Sequence, residues 1–298
     1  MSQQNACAYL DIVGFGKFIE KDIEGALRLL TSYHARLASY HAKDDLRNFD
    51  YFLPFSDSIF IQSSKPDIFV AGLSSFLSDT FFTYNYKPRD YNTPNAHDDP
   101  AKVVVTDIIA SIASGKKVTI PEYWFPLLIQ GGISFGECHP IPVNAIINNK
   151  VCSIPNLVGK AVVEAVKQTD KIKGPRLICS QSFYAALSDK HERRIIKIND
   201  TYEILWPAFN FTDGNKVDDV LINQFNSLLL VAVNLWKDYK HLDSDIRIHY
   251  YESLKLIVRS ALHYFSSNDK DLQAANDYIF RELEQVGLSL EIINDLMK

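Results

Sequence analysis

Two aspartates stand where the surrounding pattern calls for apolar side chains: Asp11 in Tyr9-Leu10-Asp11-Ile12-Val13-Gly14-Phe15, and Asp57 in Phe55-Ser56-Asp57-Ser58-Ile59-Phe60-Ile61. A carboxylate in such a run costs several kcal/mol unless something pairs with it, and a divalent cation shared by both would remove that cost. An all-oxygen donor set suits a hard ion such as Mg²⁺ or Mn²⁺. Just after Asp11, the turn Val13-Gly14-Phe15-Gly16 sits where a strand passes into a helix, so its free N–H groups and the positive helix end can hold an anion. A lone strand-end aspartate is more often a cap or turn former; the pair with its flanks is what points to chemistry.

The elements that must position these residues follow from hydrophobic period. Residues 5–12 alternate as a strand, and 15–43 carry apolar residues at helical spacing. Residues 49–55 and 58–61 read as a β-hairpin with Asp57 at its bend. Helices are predicted over 68–83 and 103–114. Residues 84–102 are polar and proline-containing and read as an exposed loop. Strands are expected over 127–135 and 137–141 as a pair, with Gly131, Gly132 and Gly136 as scaffold where backbones crowd. Asn156 can cap a helix running to about 169, 176–179 is a strand, 181–187 a helix, and 194–206 strand-rich. After Pro207 the period is helical, over 217–239, 246–265, 272–286 and 288–297. The expected division is therefore a mixed β-α-β-β-α-β unit over 1–207 and a helical extension over 208–298.

Composition narrows the function class. The chain has 298 residues, 47% hydrophobic and 22% charged, with a formal charge of −5. That balance argues against broad binding to nucleic acid or anionic membranes and leaves small phosphate ligands open. The start is polar, without a signal-like apolar segment, and no run reaches the ~18 apolar residues of a membrane span, so a cytoplasmic protein is expected. Cys7, Cys138, Cys152 and Cys179 show no zinc or redox spacing and read as reduced thiols.

The segments Tyr9 to Phe15, Ser56-Asp57-Ser58, Gly131-Gly132-Ile133-Ser134-Phe135-Gly136 and Gly159-Lys160-Ala161-Val162 resemble, in order and spacing, the catalytic domain of class III nucleotide cyclases over roughly residues 5–206. Within that family the chain is most similar to the bacterial pyrimidine cyclases of the Pycsar anti-phage system. The resemblance implies an α+β, ferredoxin-like βαββαβ core and a head-to-tail homodimer with sites at the subunit interface. It also implies conversion of a nucleoside triphosphate to a 3′,5′-cyclic monophosphate and pyrophosphate. Two divalent ions roughly 4 Å apart would activate the 3′-hydroxyl and offset triphosphate charge. Asp11, Asp57 and the backbone carbonyl of Ile12 would hold them. Gly14, Phe15 and Gly16 would seat the β- and γ-phosphates.

Departures from the purine-cyclase pattern shape the substrate expectation. Where adenylate and guanylate cyclases commonly carry a base-reading Lys or Glu, this chain has Leu53, which cannot read a purine edge. The second base-reading position is Asn156, whose amide can donate and accept at a uracil or cytosine edge, or else simply cap its helix. Tyr51 either contacts the base or faces the core. The family's Asn and Arg, one helical turn apart, are here Val163 and Lys167; Lys167 keeps a point charge without the guanidinium fork. Lys197 is the expected phosphate lysine, against a solvated strand face as the plain alternative. The expected activity is a pyrimidine cyclase acting on UTP, or CTP, whose product would signal to a separate effector protein. A purine cyclase, or a degenerate cyclase-homology domain that binds nucleotide and only regulates, are the alternatives.

Overall fold

The computed structural model describes residues 4–41, 49–86, 102–147, 150–170, 172–213 and 216–298. Strand β1 (Gln4–Ile12) obeys its alternation: Ala6, Ala8, Leu10 and Ile12 are buried on one face, and Cys7, Tyr9 and Asp11 point to the other. Helices α1 (Phe15–Lys21) and α2 (Ile23–His41) follow, where the periodicity alone predicts one helix over 15–43. The division falls at Asp22, whose backbone is extended and whose carboxylate accepts the Gly25 N–H at 2.9 Å, a cap that starts α2 afresh.

Strands β2 (Tyr51–Phe55) and β3 (Ser58–Ser63) form the expected hairpin, closed by Ser56 and Asp57. Helix α3 (Pro66–Asn85) opens with a proline, which loses no hydrogen bond at that position. Most of the expected loop, residues 87–101, lies outside the described residues. Next come β4 (Lys102–Thr106), α4 (Ile108–Ser114) and β5 (Thr119–Tyr123). The first part of the helix expected over 103–114 is thus a strand, because Val103, Val104 and Val105 are β-branched and pair with β5. Strand β6 (Ile129–Glu137) runs unbroken through Gly136. The second strand of the expected pair shrinks to β7 (His139–Pro140) and pairs instead with β10 (Leu157–Val158). Between them β8 (Val143–Ile147) and β9 (Lys150–Ile154) form a hairpin the sequence reading did not anticipate.

Helix α5 (Lys160–Thr169) leads to β11 (Leu177–Cys179), α6 (Gln181–Ala185), a 3₁₀ turn at Asp189–Arg194, and the hairpin β12 (Ile195–Ile198) and β13 (Thr201–Ile204). After a 3₁₀ turn at Trp206–Asn210, α7 (Val217–Val220) continues through a π-helical turn into α8 (Asn226–Tyr239). Then come α9 (Ser244–Phe265), α10 (Asp269–Gln285) and α11 (Leu290–Leu296).

The main sheet has the order β12-β13-β11-β6-β1-β3-β2. Its part β6-β1-β3-β2, antiparallel throughout and joined by α1–α2 and α3, is the βαββαβ arrangement expected from the sequence, in an α+β fold with C-terminal helices. The crossover from β6 through α5 adds β11 in parallel. One sheet face packs on α2, α3 and the C-terminal helices in a single continuous core. The other carries a small cluster under α5, built on Cys7, Cys138, Leu157, Ala161 and Ala165. Helix α5 lies close because Gly132 has no side chain: a Cβ there would meet the Ala165 carbonyl and lie 2.8 Å from Gln168 Cβ.

Candidate active site

Strand register lays out the α5 face as rows of opposed residues. The end row reads Phe55, Ser58, Asp11, Gln130 across β2, β3, β1 and β6; the next reads Leu53, Phe60, Tyr9, Gly132; the third reads Tyr51, Gln62, Cys7, Ser134. Helix α5 covers the β6 side of these rows, so on the β2 side Phe55 is 74% exposed. Asp11 thus belongs to a half-covered polar end row, beside an aromatic row.

Asp57 joins it through the hairpin. Ser56 takes a left-handed φ of 56°, which a serine adopts at some cost, and this turns the chain so that the Asp57 carbonyl accepts the Ile12 N–H at 3.3 Å. Asp11 is half-buried. Its Oδ1 accepts from Ser58 Oγ at 2.8 Å and its Oδ2 from Gln130 Nε2 at 3.4 Å, while Ser58 Oγ lies 2.9 Å from the Tyr9 hydroxyl. Burial raises the Asp11 pKa and the nearby Asp57 charge raises it further, against the lowering effect of the Ser58 and Gln130 hydrogen bonds. Burial likewise raises that of Tyr9, with the charges of Asp11, Asp57 and Asp170 adding to it. Neither Asp11 nor Asp57 has a cationic partner among the described residues.

These observations fit a divalent ion. Two neighbouring carboxylates lack positive charge, and Gln130 Oε1, beside Asp11, is a buried acceptor with no partner among the described residues. Every donor is oxygen. No three His, Cys, Asp or Glu side chains converge among the described residues, so side chains of these types do not by themselves complete a coordination shell there. Ile12 is the last residue of β1, directly after Asp11, and its N–H is the one bound by the Asp57 carbonyl.

The other sequence-selected residues fall in different places. Gly14 caps α1 in the left-handed region (φ 77°), Phe15 buries its ring and offers only its backbone, and the space beside Gly16 is open. Tyr51 lies on the α5 face in the third row, ~13 Å along the strand from the Asp11 row, partly packed against the Cys7 cluster. Asn156 is exposed and does not cap α5, whose N-cap is Gly159; its Oδ1 accepts the Leu157 N–H at 2.8 Å and its carbonyl holds the Ile141 N–H. The helix-cap reading of Asn156 is therefore corrected. The actual cap has φ 144°, and a Cβ on Gly159 would collide with the Glu137 carbonyl, so only glycine fits. Lys167 is exposed in the last turn of α5 and makes no ion pair among the described residues; Val163 is exposed one turn earlier. Lys197 projects from the edge strand β12, four strands from β1 and so roughly 19 Å away, too far to meet Asp11 within one chain.

Ser58, Gln130 and Tyr9 are the site residues that sequence reasoning assigned no role. Tyr9 is legible as a same-face neighbour of Asp11 by alternation. Ser58 and Gln130 become visible only through the pairing of β1 with β3 and β6.

No protein-family model matches the chain, and no curated protein matches it. Solved structures similar to it include the adenylyl cyclase CyaB from P. aeruginosa, at 12% identity over 68% of this chain and 94% of that one, with a TM-score of 0.44. An adenylate cyclase from Trypanosoma brucei is similar at 16% identity over 70% and 92%, TM-score 0.44. The guanylyl cyclase domain of the RhoGC fusion protein from Blastocladiella emersonii is similar at 14% identity over 68% and 96%, TM-score 0.42.

Proposed function

We propose that the chain is a pyrimidine nucleotide cyclase, converting UTP, or secondarily CTP, to the 3′,5′-cyclic monophosphate and pyrophosphate. The observation that carries this reading is the meeting of Asp11 and Asp57, 46 residues apart in sequence, at one polar sheet end with no cationic partner among the described residues.

Asp11 and Asp57, with the Ile12 carbonyl, would hold divalent ions, which supply Lewis-acid activation of the 3′-hydroxyl and neutralise triphosphate charge. The backbone at Gly14, Phe15 and Gly16, where β1 passes into α1, would seat the β- and γ-phosphates. The 3′-oxygen then bonds to the α-phosphorus as the bond to pyrophosphate breaks in line, and the hydroxyl proton passes to solvent. On the base side, Leu53 and Phe60 present apolar surface that reads no purine edge, and Tyr51 adds an aromatic ring with a hydroxyl to meet the smaller base. Lys197 lies four strands from Asp11 within one chain, which supports a site completed by a second copy of the chain, with Lys167 and Lys197 serving the phosphates across the interface and Asn156 meeting the base. The cyclic product would act through a separate effector protein, as in anti-phage signalling.

Incubating the protein with each of the four nucleoside triphosphates and Mn²⁺, then separating products by chromatography, tests the reading. Cyclic UMP or cyclic CMP is expected. A cyclic purine as the sole product overturns the base assignment, and no cyclic product from any triphosphate overturns the cyclase itself in favour of a regulatory nucleotide-binding domain.

A further inference from the structure

The Asp11 carboxylate is gripped at both oxygens, and we infer that Ser58, backed by Tyr9, and Gln130 are positioning residues that set it for divalent-cation binding. The inference rests on the metal-dependent reading above.

The direction of the hydrogen bonds follows from donor counts. An ionised carboxylate only accepts, and a serine hydroxyl has one hydrogen, which Ser58 gives to Asp11 Oδ1 at 2.8 Å. The 2.9 Å contact between Ser58 Oγ and Tyr9 therefore has the phenol as donor. The result is an ordered file, Tyr9 O–H to Ser58 Oγ–H to Asp11, in which each donor polarises the next. Gln130 gives Nε2–H to Oδ2 at 3.4 Å, so one acceptor direction on each oxygen is taken and the others remain for a cation and its water.

The backbone makes this arrangement hard to lose. Ser58 and Gln130 sit opposite Asp11 on its two neighbouring strands, so the register of three strands delivers both donors. Tyr9 is fixed by its cross-strand partner Phe60, with ring centroids 4.9 Å apart, and by the cluster under α5. A strand-end aspartate otherwise has two free torsions to freeze when an ion arrives. Here they are frozen beforehand, and the ion loses less of its binding energy to ordering.

The test is Mn²⁺ binding without nucleotide, followed by the electron paramagnetic resonance signal of free Mn²⁺, alongside the melting temperature of each variant. Loss of such outer partners typically weakens metal binding 10- to 100-fold. Ser58→Ala is expected to raise the Mn²⁺ Kd about tenfold, Tyr9→Phe by less, and Ser58→Thr, which retains the hydroxyl, is expected to bind like the parent. If Ser58→Ala binds like the parent while Asp57→Ala does not bind, the inference is overturned and the metal reading stands. If Asp57→Ala also binds like the parent, the metal reading itself fails. Should Ser58→Ala not fold, Tyr9→Phe carries the test, and parent-like affinity in that variant overturns the hydroxyl file.

Discussion

Replacing Gly132 by alanine takes away the room in which α5 rests on the sheet. The added methyl would press into the Ala165 carbonyl oxygen and sit 2.8 Å from Gln168 Cβ and 2.9 Å from Thr169 Oγ1. All three belong to the helix, and two are backbone or its first carbon, so no flexible tip can step aside. Ordinary carbon contacts lie near 3.5–4.0 Å, so the helix or the strand must move by roughly 1 Å. Overpacking of this kind costs about 1–3 kcal/mol. Gly136, on the same strand and face, is the control: its nearest neighbour is Ala161 Cβ at 3.9 Å, an ordinary contact. Alanine there fits and gains about 0.5–1 kcal/mol by restricting the unfolded chain. Urea unfolding followed by tryptophan fluorescence should therefore place the two variants on opposite sides of the parent, about 2 kcal/mol or more apart. Gly132→Ala at or above the parent midpoint would refute the close-packing account of α5.

Mixing inactive Asp57→Ala with inactive Lys167→Ala should recover part of the cyclase activity, because each mixed pair keeps one intact composite site; a mixture as inactive as its components would remove Lys167 from a shared site. Stability should fall as pH drops below neutrality. His249 Nδ1 accepts the Gly174 N–H at 2.9 Å and so must be unprotonated there, and burial, then the Lys173 charge, lowers its pKa. A folded-state value below the unfolded one, about 6.5, means that this stability is complete above the unfolded value and lost as pH falls through the folded one. His34 and His191, lowered chiefly by burial, act in the same direction. The melting temperature should be lower at pH 5.5 than at pH 7.5 and His249→Gln should flatten part of that drop; a parent curve flat across this range would contradict the assignment.

The two-residue period of β1 and the β2–β3 hairpin can be read directly, because an aspartate inside an apolar alternation is conspicuous and turn residues separate β2 from β3. The division at Asp22 was concealed by apolar residues that keep helical spacing on both sides of it; only the Asp22–Gly25 cap signals the restart. Val103 to Val105 carry a strand signal that the neighbouring helix obscures, and β8 and β9 flank Asn148-Asn149, a residue type common in turns. The site's acids were visible, but their hydrogen-bond donors depend on cross-strand register. Arg194, close in sequence to Lys197, binds the carbonyls of Ala208 and Phe211 and lies over the Tyr264 ring.

Glu203 on β13 is fully buried and accepts from Arg176 at 2.8 and 3.0 Å and from Arg259 of α9 at 2.6 Å. Peeling away α9 would take one of the two guanidinium partners from that buried carboxylate and leave it on Arg176 alone. Melting of the tail is thereby wired to melting of the strands beside β6. Any agent that loosens the final ninety or so residues would be felt at the Asp11 row as a softening of the platform, without touching that row itself.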